Sequence, residues 1–286
     1  MTLYPLTFQI GPIVITGFGI MVMLSFFMAG WVMQQRLREL DLNEQYAWDI
    51  IVAGVIGGLI GAKLWYVALY GLDRLFNRGG LVWYGGLIGG AAAVIFNGWR
   101  LKVPTRFTMD LAAPALAVGY GLGRVGCFVV QDDYGIPTSL PWGVKFPHGM
   151  PPTTAQNLAR WGIEVPPGTD PFTVLAVHPT QLYETAIMLG VFWLLWRMRT
   201  HARGTGWLFG LYLMLAGTER FLIEFLRAKD DRYLGPFTLA QGVAITVVVI
   251  GAVLTQRFGN GSSMAVQHIG ALRPPTESHP GKAKAP

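Results

Sequence analysis

The sequence predicts an all-α, polytopic membrane protein: about seven transmembrane helices, with a small outward-facing cap between the fourth and the fifth. Three observations predict it. The 286 residues are 52% hydrophobic and only 13% charged, about half the charge of an ordinary soluble domain. Mean hydropathy is +0.42. Seven separate stretches, 12–33, 49–69, 81–97, 110–130, 181–196, 206–227 and 237–255, are apolar over lengths near the roughly 20 residues that cross a bilayer core.

The elements follow in chain order. The first stretch has no Lys or Arg before it and no small-residue cleavage site after a short apolar core, so it is read as a retained helix rather than a signal peptide. The second carries Gly54, Gly57, Gly58 and Gly61, and the third Gly85, Gly86, Gly89 and Gly90. In water such helices would be costly; in a membrane, small residues let helices approach closely. Connections 34–48, 98–109 and 197–205 hold two, three and three Lys/Arg residues, and the tail adds Arg257, Arg273, Lys282 and Lys284. The alternate loops 70–80, 131–180 and 228–236 hold two each. The positive-inside tendency then places the N-terminus outside and the C-terminus in the cytoplasm. The 131–180 connection contains nine prolines and is long enough to form a small folded outer cap. The tail 258–286, rich in Gly, Ser, Pro and Lys, is expected to be disordered.

Composition also excludes function classes. The single Cys127 rules out an intramolecular disulfide and a Cys-cluster metal site. The net charge of +6, with a pI near 9.5, suits anionic lipid headgroups; no soluble basic domain is present to bind nucleic acid. No metal or organic cofactor is expected, since no ligand cluster is visible.

The chemistry is carried by charges inside the apolar stretches. Lys63, Arg124, Arg220 and Arg227 lie there, with Glu184, Glu219 and Glu224. Such groups are expensive in a bilayer and usually mark a functional site. Arg220, Glu224 and Arg227 are spaced i, i+4, i+7, so they share one helix face. One reading is a structural Arg220–Glu224 ion pair with Arg227 snorkelling to the outer interface. Arg124 stands in Gly-Tyr-Gly-Leu-Gly-Arg-Val-Gly (119–126), a stretch that lets backbone or ligand approach the guanidinium. Its fork of donors matches phosphate geometry. Two buried arginines with a glycine-lined approach suit a phospholipid headgroup; an anion pathway fits the same residues. Gly119–Gly123 is no dinucleotide fingerprint, lacking a βαβ unit, and no HExxH or GxSxG occurs. Cys127 is read as a small packed residue. His178 opens His-Pro-Thr-Gln-Leu-Tyr-Glu (178–184), where Pro179 suits a helix start and Gln181 and Tyr183 offer polar tips.

Several stretches, in order along the chain, resemble the prolipoprotein diacylglyceryl transferase family. They are Gly-Pro (11–12) with Gly-Phe-Gly (17–19), Gly-Ala-Lys-Leu-Trp-Tyr-Val (61–67) and Tyr-Gly-Gly-Leu-Ile-Gly (84–89). Next come Gly-Arg-Val-Gly-Cys-Phe-Val-Val-Gln-Asp-Asp-Tyr-Gly (123–135), Pro-Trp-Gly-Val-Lys-Phe-Pro (141–147), the 178–184 motif and Glu-Arg-Phe-Leu-Ile-Glu-Phe-Leu-Arg (219–227). The resemblance implies a bacterial inner-membrane enzyme that moves a diacylglyceryl group from phosphatidylglycerol to the thiol of a lipobox cysteine in a prolipoprotein, with glycerol phosphate leaving and a thioether forming. It makes 1–257 the catalytic membrane domain. It implies that Arg124 binds phosphatidylglycerol, that Arg220 is a second essential arginine oriented by Glu224, and that Asp132 contacts the acceptor peptide or Arg124. Gly123, Gly135, Gly85, Gly86, His178, Gln181, Tyr183 and Lys63 fall in the substrate-binding motifs. Many members have His at the Tyr84 position, proposed there as a base, Asn at Cys127, Tyr at Phe18 and Glu at Asp132. A phenol titrates near pH 10 and is a weak base at pH 7. Either Tyr84 positions the headgroup, or the histidine elsewhere is not a base, or His178 substitutes. The rival readings are a lipid or anion transporter, which would more often show repeated halves, and a non-catalytic scaffold that docks prolipoproteins.

Overall fold

The computed structural model describes residues 6–11, 13–76, 80–229, 237–262 and Leu272. Among these, eight α-helices dominate. A short hairpin of β1 (Thr7–Ile10) and β2 (Ile13–Thr16) leads into α1 (Gly17–Glu39), followed by α2 (Gln45–Tyr70), α3 (Trp83–Arg100) and α4 (Thr105–Val130). Then come β3 (Val144–Lys145), α5 (Ala155–Arg160), β4 (Ala176–Val177), α6 (Thr180–Met198), α7 (Trp207–Ile223) and α8 (Leu239–Phe258).

Among the described residues, four helices are long and apolar enough to cross a membrane: Gly17–Glu39, Gln45–Tyr70, Thr105–Val130 and Leu239–Arg257. Their outer faces are apolar. On α2, Val52, Ile56, Leu59, Ile60 and Leu64 are all more than half exposed. A row of that kind is tolerable only against lipid. The protein is a polytopic helical membrane protein.

The structure departs from the sequence reading at the N-terminus. The stretch read as one helix from residue 12 begins as a strand, with Thr7 paired to Thr16 and Phe8 to Ile15. The run Ile13-Val-Ile-Thr is β-branched throughout, which favours extended backbone, so the helix starts only at Gly17. Pro12 lies outside the described residues, as does most of the tail 258–286. Leu272, the described residue beyond 262, is buried, and its carbonyl accepts from Asn43 N at 2.6 Å.

Two compact units are distinguished: one of Met1–Ala29 and Met109–Ser263, the other of Gly30–Thr108 and Met264–Pro286. In the second, α2 and α3 meet on a glycine seam. A Cβ on Gly61 would lie 2.3 Å from Gly85 O, and one on Gly89 2.4 Å from Gly57 O. The backbones therefore touch, and only hydrogen fits between them. Tyr46 and Thr108 join their hydroxyls at 2.6 Å in the same unit.

In the first unit, Ala113 and Ala117 of α4, Met188, Val191 and Leu195 of α6 and Trp207 and Leu208 of α7 form one buried apolar cluster. A carboxylate pins it. Asp110 of α4, 2% exposed, accepts from Gly206 N at 2.7 Å and Phe209 N at 3.0 Å. It thus caps the first turn of α7 from another helix, at the positive end of that helix's dipole. The 131–180 segment carries its own small core of Val144, Phe146, Leu158 and Val177, with Tyr134 and Ala228. The β3–β4 pair, Val144 with Val177, closes it.

Two stability outcomes follow. Asp110→Ala strips a charged acceptor from two buried N–H groups, each bond worth about 1.5–3 kcal/mol. Thermal unfolding in detergent, followed by circular dichroism, is expected to show a Tm several degrees lower, with Asp110→Asn intermediate. Gly61→Ala is expected to lower Tm or prevent folded expression. Gly58→Ala, whose Cβ would sit 3.6 Å from Gly86 O, is expected to match wild type.

Candidate active site

The centre of the first unit is a ladder of ion pairs. α4 delivers Arg124 near its C-terminal end, 9% exposed. Its Nη1 donates to Asp133 Oδ2 at 3.0 Å and to Cys127 Sγ at 3.3 Å. Its Nε is ion-paired with Glu184 of α6, a carboxylate 1% exposed. Asp133 also takes Arg227 Nη2 and, at 2.6 Å, Lys229 Nζ. Arg227 Nη1 stands 3.9 Å from Glu224 Oε2, which holds Arg220 Nη1 at 2.6 Å. Glu224 Oε1 accepts from the Thr238 hydroxyl at 3.0 Å. Thr238 is the N-cap of α8 in a full capping box with Gln241. The chain of contacts thus runs Glu184, Arg124, Asp133, Arg227, Glu224, Arg220.

Local backbone explains why these groups meet. α4 ends at Val130, and the chain turns through left-handed conformations at Gln131 (φ 65°) and Asp133 (φ 57°). Neither is glycine, so each costs about 1–2 kcal/mol. Side chains from the next motif hold the turn: Gln181 Nε2 donates to Asp132 O and Thr180 Oγ1 to Asp133 O at 2.9 Å. Gly135 then passes between two segments. Its N donates to His178 O at 2.9 Å, and it bridges Arg227. A Cβ there would lie 2.5 Å from Leu226 O and 2.8 Å from His178 Cβ, so glycine is required for closeness. The 178–184 motif and the 226–228 segment are thereby laid against 132–136.

The structure brings Arg124, Arg220, Glu224, Gly135, His178, Gln181 and Asp132 into this one unit. Gly123 sits beside Arg124 with room to spare, since its Cβ would be 3.9 Å from Ser25 Oγ. The expected Asp132–Arg124 contact is not formed; Asp133 makes it, because the left-handed turn at Asp133 directs that carboxylate back at α4. Asp132 Oδ1 is buried with no hydrogen-bond partner among the described residues. Its pKa is raised by burial and by the neighbouring Asp133 charge. Arg227 does not snorkel. α7 ends at Ile223, a 3-10 turn covers Glu224–Leu226, and Arg227 is extended, with its side chain 7% exposed and aimed at Asp133. His178 Nδ1 lies 3.2 Å from the Tyr183 hydroxyl, which also accepts from Trp142 Nε1 at 2.8 Å. Burial lowers the His178 pKa and so favours the neutral ring.

Lys63, Tyr84, Gly85 and Gly86 belong to the second unit. Tyr84 is 41% exposed and meets Trp83 edge-on at 5.2 Å. Lys63 Nζ stands 5.3 Å over the Tyr66 ring. Gly85 is part of the α2–α3 seam, its Cβ position only 2.4 Å from Gly61 O.

The motifs alone did not point to Asp133 as the shared partner of Arg124, Arg227 and Lys229, nor to Glu184 as the mate of Arg124. Glu184 carried a usable signal, since a carboxylate inside an apolar stretch needs a cation. Asp133 carried none, because its role depends on a backbone turn that spacing does not reveal.

The prolipoprotein diacylglyceryl transferase family model matches residues 5–257. Three relatives named phosphatidylglycerol–prolipoprotein diacylglyceryl transferase illustrate the similarity. That of Clostridium tetani is 29% identical over 86% of this chain and 94% of its own. That of Geobacter sulfurreducens is 30% identical over 88% and 95%, and that of Stenotrophomonas maltophilia 31% over 87% and 90%. With the family model matched over most of its length, the chain belongs to the prolipoprotein diacylglyceryl transferase family.

Proposed function

We propose that the chain moves the diacylglyceryl group of phosphatidylglycerol onto the thiol of a lipobox cysteine in a bacterial prolipoprotein. The sulfur attacks the glycerol carbon that bears the phosphate. A C–S bond forms, the C–O bond to phosphate breaks, and glycerol phosphate leaves with the electron pair. The thiol gives up its proton, because only the thiolate attacks well, and that proton ends on the departing phosphate monoester or in water.

The observation that carries the proposal is the arginine ladder. Arg124 keeps a buried Nη2 with no hydrogen-bond partner among the described residues, a donor ready for a phosphate oxygen. Arg220 is the most open of the three arginines, its side chain 26% exposed against 11% for Arg124 and 7% for Arg227. Their carboxylate partners fix both guanidiniums before substrate arrives, so charge growing on the departing phosphate meets donors already oriented. Thr180 and Gln181 hold the turn beside them, and Gly123, Gly135, His178 and Tyr183 are assigned to substrate binding with it.

The shorter helices α3, α6 and α7 are proposed to span as well, giving seven crossings of the bacterial inner membrane. The Lys/Arg distribution then sets the N-terminus outside, the 131–180 segment as an outer cap and the C-terminus in the cytoplasm.

Purified protein given phosphatidylglycerol in detergent and a peptide with one lipobox cysteine is expected to yield a peptide heavier by one diacylglyceryl group. Arg124→Ala abolishes the adduct, and Arg124→Lys lowers the rate about 100-fold, since an ammonium lacks the fork. Folded wild type that retains phosphatidylglycerol yet makes no adduct would favour the scaffold or transporter reading.

Asp133 gives a pH outcome. Burial alone would raise its carboxyl, but Arg227, Lys229 and Arg124 outweigh burial and hold it below the usual carboxylate range. A depressed carboxyl stabilises the fold fully above its unfolded pKa, near 4, and that stability is lost as pH falls through the folded value. Acid unfolding of wild type is expected to steepen below about pH 4. Asp133→Asn is expected to be less stable at pH 7 and flatter across that acid window.

A further inference from the structure

A cleft of about 520 Å³ opens in the first unit. Its lining includes Trp161 and Glu164 of the 131–180 segment, Glu224, Arg227 and Lys229, and Thr238 at the start of α8. Three independent features make it an anion site. First, Arg227 Nε is buried, on a side chain 7% exposed, and has no hydrogen-bond partner among the described residues. Second, the ladder joins four cations, Arg124, Arg220, Arg227 and Lys229, to three carboxylates, Asp133, Glu184 and Glu224. Within these pairs cations outnumber carboxylates by one. Arg227 and Lys229 share Asp133 and line the cleft, where Glu224 faces Arg227 as well as Arg220. Third, α8, 20 residues long, begins at this point, and the start of a helix favours negative charge. The exposed Glu164 stands at the cleft and opposes the field.

We propose that this cleft holds a small water-soluble phosphate monoester, the glycerol phosphate released in the transfer, before it leaves. The inference rests on the transferase reading. Arg227 links the cleft to the ladder through Asp133 and Glu224. A phosphate freed beside Arg124 and Arg220 moves along fixed cations rather than through lipid, and Arg227 and Lys229 in the cleft lining suit the polar fragment and not the acyl chains.

Equilibrium dialysis of the full chain in detergent, with radiolabelled glycerol phosphate, tests it. Saturable binding is expected, weakened by salt. Lys229→Gln is expected to weaken it about tenfold and Glu164→Gln to tighten it several-fold. Opposite shifts separate charge from misfolding, which would weaken both. Glycerol is expected not to compete, and inorganic phosphate only at much higher concentration. Absent saturable binding, or shifts of the same sign in the two variants, would overturn the proposal. Equal competition by inorganic phosphate would assign the cleft to free phosphate instead. The transfer assay on the same preparation separates the two readings: transfer without glycerol phosphate binding sinks the cleft alone, and binding without transfer sinks the transferase reading and the product assignment with it.

Discussion

The carboxylate of Asp133 holds together groups that would otherwise repel. Arg124, Arg227 and Lys229 all reach it, from a helix end and from a strand-like segment nearly a hundred residues further along the chain. Remove it, and three cations face one another in a poorly solvated space, where unscreened charge costs several kcal/mol. The residue sits in a left-handed turn that an L side chain enters at a cost. Gln181 and Thr180 donate to the backbone of this turn, and Gly135 lets the following strand come close enough to bridge Arg227. Motifs far apart in sequence are therefore tied at one bend.

A membrane protein cannot leave such charges unpaired, and it cannot pair them all if they are to bind an anion. Glu184, Asp133 and Glu224 alternate with the arginines, so every guanidinium is fixed in orientation while donor atoms remain open on Arg124 and Arg227. Away from this centre, cohesion comes from small residues. The α2–α3 seam of Gly57, Gly61, Gly85 and Gly89 brings backbone against backbone, because lipid supplies no hydrophobic drive for helices to associate. Asp110 shows the same economy of polar groups, one side chain satisfying two orphan N–H groups of α7.

Much of this was legible in the residue order. Apolar length located the helices, and the i, i+4 spacing of Arg220 and Glu224 foretold their ion pair, since Arg220 sits in the last turn of α7 and Glu224 directly follows it. Arg124 stood out as a guanidinium in a glycine-rich apolar run. What periodicity could not show were the places where helices stop. Extending the helical face to Arg227 sent its side chain to the interface, whereas the break at Glu224–Leu226 swings it onto Asp133. The choice between Asp132 and Asp133 turned on a positive φ at a non-glycine residue, which nothing in the spelling Gln-Asp-Asp-Tyr signals. The β-branched run Ile13–Thr16 was equally apolar in a helix or a strand, and the hairpin partner Thr7–Ile10 decided it.

The function proposed above requires the arginine ladder to recognise the phosphate of an anionic lipid. Native mass spectrometry of the detergent-purified protein, offered equal amounts of phosphatidylglycerol and a zwitterionic phospholipid of the same chains, tests it most directly. Wild type is expected to retain phosphatidylglycerol preferentially, and the Arg124→Ala, Arg220→Ala double variant to lose that preference with total lipid retention unchanged. An undiminished preference in a folded double variant would contradict it.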